Sequence, residues 1–136
     1  MAGDDPWPAI AEQHVRELIE SGIQAQLVAI DGQGYLHVQG VEARGGAWEP
    51  EVVEILVGMP MAYDDANLDA FYLKLPYSYK GGGHERVQGA VIQWNDAQWQ
   101  LVSWHYHEDQ PWVPGRDTIA SHLVHCMGFF PGRGAR

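Results

Sequence analysis

The chain has 136 residues and a formal net charge of −10, since 18 aspartates and glutamates outnumber 8 lysines and arginines. This balance disfavours nucleic-acid binding, which depends on neutralising phosphates with basic side chains, and favours a partner with a basic surface. Hydrophobic residues make up 46% of the chain, which is enough for a packed core. We therefore expect a single domain over residues 1–136, with a frayed tail from about residue 131.

The sequence predicts a cytoplasmic protein that makes no membrane contact. It contains no run of about 18 or more apolar residues, the length that a membrane-spanning helix requires. The first five residues include two acids and no bases, unlike a secretion signal. Cys126 is the single cysteine, so no disulfide within the chain is possible, which fits a reducing compartment.

A first amphipathic helix is predicted over about residues 8–21, with Asp5 as a candidate cap and Gly22 as its end. Apolar side chains recur there at helical spacing, at Ala11, Val15, Leu18 and Ile19.

Strands are predicted from alternating or continuous apolar runs bounded by turn residues. They cover residues 26–30, 35–41, 52–57, about 70–73, 89–94 and 98–106. A last helix is predicted from a cap at Asp117 through about Met127, with Gly128 as its end. Short turns between consecutive strands favour an antiparallel sheet, and helices at both ends of the chain favour an α+β fold.

Four short motifs follow one another in the second half of the chain. They are Pro-Met-Ala-Tyr at 60–63, Leu-Asp-Ala-Phe-Tyr at 68–72, Ser-Trp-His at 103–105 and Trp-Val-Pro-Gly-Arg-Asp at 112–117. In this order they resemble prokaryotic E2 family E, a bacterial branch of the E2 (ubiquitin-conjugating, UBC) superfamily. The resemblance covers about residues 27–127. It departs from the superfamily at Asp64, which replaces the proline of a Tyr-Pro pair, and at Val102, which stands where family E has tryptophan.

The resemblance implies an E2/UBC-like fold with an N-terminal helix, an antiparallel strand meander and a C-terminal helix packed on the sheet. It also implies a role in a bacterial ubiquitin-like conjugation system, with a ubiquitin-like protein and an E1-type activating enzyme as partners. Within the matching motifs, we expect partner contacts at Tyr63, Asp64, Trp104 and Trp112.

E2 chemistry needs a thiolate that takes an acyl group from an E1 thioester and passes it to an amine. In E2 proteins this cysteine lies a few residues before the Trp-x-Pro signature, yet residues 103–111 contain none, and the usual His-Pro-Asn triplet is missing. Cys126 lies in the last predicted helix, on one face with Ile119, Leu123 and Met127. That face should pack on the sheet, which would leave the thiol buried and inert.

His105 and His107 are the candidate catalytic residues of this interval. In a strand, residues two apart share a face, so the two rings could form a general-base pair or a His-x-His metal unit. Glu108 or Asp109 would then supply an oxygen ligand. The spacing fixes no third ligand, so we expect no metal or other cofactor, and a polar, partly exposed strand end is the other interpretation.

An acidic group precedes the second motif, at Asp64, Asp65 and Asp69. It lacks the regular ligand spacing and the glycine of an EF-hand loop, so we interpret it as a solvated turn.

Three functions remain open on these observations. The first is an E2-like protein that binds a ubiquitin-like protein or an E1-type partner without a standard catalytic cysteine. The second is an active E2-type transferase that uses Cys126. The third is a metal-dependent hydrolase built on His105 and His107.

Overall fold

A computed structural model of the chain describes residues 5–63, 65–105 and 111–131. Its elements, in chain order, are α1 (Ala9–Glu20), β1 (Gln24–Ile30), β2 (Gln33–Glu42), β3 (Trp48–Glu49), β4 (Val52–Gly58), β5 (Phe71–Lys74), β6 (Ser78–Tyr79), β7 (Val87–Trp94), β8 (Ala97–Val102) and α2 (Ile119–Met127).

Six strands form one antiparallel sheet in the order β1-β2-β4-β5-β8-β7, and β3 pairs with β6 in a separate small sheet. The first four strands of the large sheet are a meander, in which each strand pairs with the next. With a helix before the sheet and a helix after it, the predicted α+β, E2-like fold is confirmed.

The hairpin of β7 and β8 joins the sheet in the reverse of chain order. Its second strand, β8, pairs with β5 in a register that places Phe71 opposite Val102, while β7 lies at the edge. The strand predicted over 98–106 is too long, because β8 ends at Val102. Sequence periodicity did not predict β3 and β6, since a two-residue strand has no period to detect.

Both helices contribute to one core on a single face of the sheet. Side chains of the central strands meet those of α2 there, and Leu36, Ile55, Leu73, Ile119 and Cys126 are fully buried. Among the described residues, neither helix is both long enough and apolar enough to cross a membrane.

The ends of the helices differ in detail from the sequence predictions. Helix α1 follows Pro8, which makes no side-chain capping bond, rather than being capped by Asp5. Helix α2 begins after Thr118, which forms a capping box with Ser121. Asp117 instead accepts a 2.6 Å hydrogen bond from the backbone N–H of Val113, so it closes the preceding turn.

Two side chains predicted to face the core are exposed. Ile19, at the end of α1, is 52% exposed, and Met127, at the end of α2, is 39% exposed. Each lies in the last turn of its helix.

Candidate functional site

The pairing of β5 with β8 brings two distant segments of the chain together. Because Phe71 lies opposite Val102, the residues just before β5 run beside the residues just after β8. Asp69 thereby reaches the Ser-Trp-His motif at 103–105, although 36 positions separate it from His105. The exposed side chain of Asp69 agrees with the solvated turn expected from the sequence, whereas its contact with His105 was not predicted.

Three side chains form a hydrogen-bonded series at this point. Nδ1 of His105 lies 3.0 Å from both carboxylate oxygens of Asp69, and Nε2 lies 3.3 Å from Oγ of Ser103. A carboxylate only accepts hydrogen bonds, so Nδ1 of His105 carries the proton and donates the hydrogen bond to Asp69. In the neutral ring, Nε2 then presents a lone pair to the Ser103 hydroxyl.

All three groups of this series are accessible from solvent. The side chain of His105 is 55% exposed, that of Asp69 is 49% exposed, and Ser103 is also exposed. A macromolecular partner can therefore reach the series without any rearrangement of the core.

Trp104 fixes the backbone of the motif from the opposite side. Its indole N–H donates a 2.8 Å hydrogen bond to the carbonyl oxygen of His125, and its ring packs against Phe129. With Trp104 directed toward α2, its neighbours Ser103 and His105 are directed away from the core. Trp104, predicted to contact a partner, is half-buried and acts in this structure as an anchor.

The backbone beside Asp69 has an uncommon conformation. Ala70 has φ +50°, in the left-handed region, which costs a residue with a Cβ roughly 1–2 kcal/mol. Its carbonyl oxygen is held by α2, since it accepts a hydrogen bond from Nε2 of His122 at 2.9 Å and lies 3.8 Å from Sγ of Cys126. Contacts from α2 therefore hold the turn that carries Asp69.

His122 and Cys126 lie beneath this turn, on the buried face of α2. Burial lowers the pKa of His122 to about 4, an effect only partly opposed by its hydrogen bond to the carbonyl of Ala70. Burial raises the pKa of the Cys126 thiol, whose residue is 0% exposed. The thiol is thus protonated and out of reach of an acyl donor in this conformation.

The remaining residues predicted to bind a partner are Tyr63, Asp64 and Trp112. Tyr63 is only 4% exposed; its hydroxyl accepts a 2.7 Å hydrogen bond from the N–H of Ile119 and lies 2.7 Å from Nδ1 of His14. It thus joins the two helices internally rather than presenting a contact surface, because its ring is enclosed by them. Trp112 is half-buried beside it, and Asp64 lies outside the described residues.

The predicted His-x-His unit is described only in part. His107, with Glu108 and Asp109, lies outside the described residues, and His105 follows β8 rather than lying within a strand. In the described portions of the chain, no group of three or more His, Cys, Asp or Glu side chains is placed to hold a metal ion.

An open groove adjoins the Ser103 hydroxyl. It has a volume of about 540 Å³ and is lined by Glu85, Arg86, Gln88, Gly89, Leu101 and Ser103. Arg86 binds the Ser103 backbone at both ends, because its guanidinium donates to the Ser103 carbonyl at 3.1 Å and its carbonyl accepts the Ser103 N–H at 2.9 Å. Neither Ser103 nor Arg86 was predicted as a site residue, because their contact depends on the pairing of β7 with β8.

Comparison with known proteins identifies the family. A family model described as prokaryotic E2 family E matches residues 10–128, which includes α1 as well as all four motifs. No curated protein and no solved structure matches the chain significantly. Because the family match extends over most of the sequence, this chain belongs to prokaryotic E2 family E.

Proposed function

We propose that this chain is the E2-like component of a bacterial ubiquitin-like conjugation system. In this role it binds a ubiquitin-like protein and an E1-type activating enzyme, and it forms no thioester of its own. The family match supports the E2-like part of the proposal. The partners follow from what E2 proteins do, and the acidic net charge of −10 favours partners with basic surfaces.

The burial of Cys126 is the observation that carries the proposal. A transferase needs its thiolate at the surface, where it meets the E1 thioester and then the accepting amine. Cys126 is 0% exposed, and burial holds its pKa above the usual range, so it has neither the access nor the charge. A role for Cys126 as the acyl carrier would require α2 to leave the sheet.

The binding surface in this proposal is the edge of the sheet where β7 begins and β8 ends. It carries the exposed residues His105, Glu85 and Arg86 around the groove at Ser103. Trp104 anchors this surface from below through its hydrogen bond to the carbonyl of His125. Trp104 and Trp112 are both half-buried and are further proposed partner contacts.

Co-purification of the full chain with an E1-like and a ubiquitin-like protein of the same bacterium tests the proposal. We expect a stable complex, with the same affinity for a Cys126→Ala variant. Glu85→Lys, at the groove, should weaken the complex by about tenfold or more, because it places a basic residue against a basic partner. Glu20→Lys, at the exposed end of α1, is the matched control and should change the affinity little.

Two results would overturn the proposal. One is the absence of any complex with either protein. The other is a reductant-sensitive adduct with the ubiquitin-like protein that forms with E1 and ATP and disappears in Cys126→Ser, because it would make Cys126 an acyl carrier.

A further inference from the structure

We propose that Ser103 is an acyl-accepting nucleophile, with His105 as its general base and Asp69 as the residue that positions the imidazole. The substrate class is a thioester, and the product is an oxygen ester on Ser103. This inference rests on the proposed function only for the source of the thioester, since the contacts among Asp69, His105 and Ser103 do not depend on it.

The hydrogen-bonding pattern gives each group one role. Asp69 accepts a hydrogen bond from Nδ1–H of His105 at 3.0 Å. Nε2 is then the unprotonated ring nitrogen, and it faces the Ser103 hydroxyl at 3.3 Å. A nucleophile, a base and an orienting carboxylate in this order are the arrangement that activates a serine hydroxyl. The serine–histidine distance exceeds the usual hydrogen-bond length, and such contacts commonly shorten when substrate binds.

The position of Ser103 in the chain agrees with this role. Ser103 is the first residue of the interval 103–111, in which the E2 resemblance places the acyl-carrying thiol. Oxygen here takes the place of sulfur. A hydroxyl is far less acidic than a thiol, so it needs an adjacent base, and His105 supplies one.

The surroundings of Ser103 suit an extended acyl chain. The groove of about 540 Å³ opens directly at Ser103 and is bordered by Gly89, which has no side chain to obstruct it. Arg86 is bonded to the Ser103 carbonyl through one guanidinium nitrogen at 3.1 Å, so its positive charge lies next to Ser103. This charge would stabilise the negative charge that develops on the carbonyl oxygen of the substrate during attack.

The left-handed conformation of Ala70 supports a functional reading of the same site. A residue with a Cβ adopts φ +50° only where its surroundings impose that conformation, and such residues cluster at functional sites. Here Ala70 directly follows Asp69, whose carboxylate contacts His105, and α2 holds the Ala70 carbonyl through His122 and Cys126.

The reaction balances without any redox step or further reactant. Oγ of Ser103 attacks the thioester carbonyl carbon, so a carbon–oxygen bond forms and the carbon–sulfur bond breaks. The hydroxyl proton passes to Nε2 of His105 and then to the departing thiolate, which leaves as a thiol. The thiolate is the better leaving group, so transfer from sulfur to oxygen is favourable.

A small thioester provides the direct test. The full chain is incubated with the 2-mercaptoethanesulfonate thioester of N-acetylglycylglycine, and intact and peptide masses are recorded. We expect one acyl adduct on Ser103 that survives dithiothreitol and is removed by mild alkali. Ser103→Ala should abolish it, whereas Ser21→Ala, at an exposed serine that ends α1, should leave it unchanged.

The supporting residues have separate readouts. His105→Gly should slow acylation by about 100-fold or more, and added imidazole should restore part of the rate, which a purely structural role would not allow. Asp69→Asn should slow acylation, and Asp69→Glu should recover part of the loss because it restores a carboxylate acceptor.

Ser103→Cys tests separately whether the groove brings a thioester to this position. It should form a dithiothreitol-sensitive thioester in the same groove. An adduct on another residue in the wild type, no adduct in either the wild type or Ser103→Cys, or an adduct in Ser103→Cys alone would overturn the inference.

The same variants separate this inference from the proposed function. If Ser103→Ala still binds the E1-like and ubiquitin-like proteins but loses the adduct, both proposals stand. If the complex forms and wild-type Ser103 is never acylated, only the inference fails. If Ser103 is acylated but no complex forms, only the proposed function fails.

Discussion

Two histidine–carboxylate pairs lie within the part of the chain that the structure describes, and they differ in what contacts the second ring nitrogen of the histidine. In the pair of His37 and Glu54, Nε2 lies 2.7 Å from the carboxylate, and Nδ1 lies 3.2 Å from the amide nitrogen of Gln26. In the pair of His105 and Asp69, one nitrogen contacts the carboxylate and the other faces a serine hydroxyl. Only the second ring can pass a proton to or from a reactant.

Burial separates the two pairs just as clearly. His37 is 2% exposed and lies edge-on to Trp94 and Trp99 on the face of the sheet opposite α1 and α2. Burial alone would raise the pKa of Glu54, but hydrogen bonds from His37 and Lys74 outweigh it and keep this pKa below its usual value. We infer that the His37 pair stabilises the sheet, whereas the exposed His105 pair is free to serve chemistry.

Removing His37 should therefore cause the largest loss of stability. His37→Ala leaves a cavity between two indoles and deprives Glu54 of its closest partner, for an expected loss of about 3 kcal/mol in the free energy of unfolding. The matched change His105→Ala should cost no more than about 0.5 kcal/mol, since surface substitutions have small effects. Urea unfolding followed by tryptophan fluorescence measures both, and equal losses would contradict the comparison.

A third histidine, His122, should make the free energy of unfolding depend on pH. Burial lowers the pKa of His122 from 6.5 to about 4, so the unfolded chain binds more protons than the folded chain between those values. Stability should fall as the pH falls through this range, by up to about 3 kcal/mol. Glu54 contributes to stability in a lower pH range. Because the pKa of Glu54 is lowered in the folded state, its contribution is lost only as the pH falls below 4.5, the usual pKa of a glutamate.

A variant isolates the His122 contribution. His122→Gln can still donate to the carbonyl of Ala70 but cannot be protonated in this range, so its unfolding free energy should vary less between pH 6.5 and pH 4 than that of the wild type. Chemical denaturation at a series of pH values provides the measurement. A slope unchanged from the wild type would show that another group controls the acid sensitivity.

A substitution at the buried Cys126 should cause a loss of stability of intermediate size. Cys126 can also be compared with the exposed position of Ser103. Cys126→Ser puts a hydroxyl in the core beneath the turn at Ala70, and we expect it to cost about 2 kcal/mol. Iodoacetamide should label the native wild type only as fast as the fold opens, while the added thiol of Ser103→Cys is labelled at once. Rapid labelling of Cys126 in the native state would argue that α2 opens readily.

The sequence predicted the main elements because each has a strong local pattern. The residues of β4 form an almost continuous apolar run, and the buried positions of α2 recur with helical period. The two-residue strands β3 and β6 have no such pattern. They depend on the aromatic packing around Trp48, whose indole N–H donates to the distant carbonyl of Phe130 at 2.8 Å.

The candidate site was less predictable because strand register creates it. His105 stood out in the sequence as a catalytic candidate, but its partner Asp69 lies in another motif and was assigned to a solvated turn. The contact between His105 and Asp69 follows from the pairing of β5 with β8, which is the second strand of the hairpin formed by β7 and β8. Short-range patterns do not specify which strand of a hairpin joins a neighbour, so this contact requires the three-dimensional fold.

The smallest expected effect is that of Asp69→Asn on stability. The carboxylate is 49% exposed, so its attraction to the His105 ring is screened by solvent, and the asparagine amide oxygen can still accept the Nδ1 proton. The loss should stay below about 0.5 kcal/mol, a shift of about 2 °C in Tm. Thermal unfolding at low and high salt measures it, and in the double variant with His105→Ala the change at Asp69 should add almost nothing, because the shared contact is already lost. A loss of several kcal/mol would instead make the His105 pair structural, like that of His37, because an accessible site for chemistry should be separable from the stability of the fold.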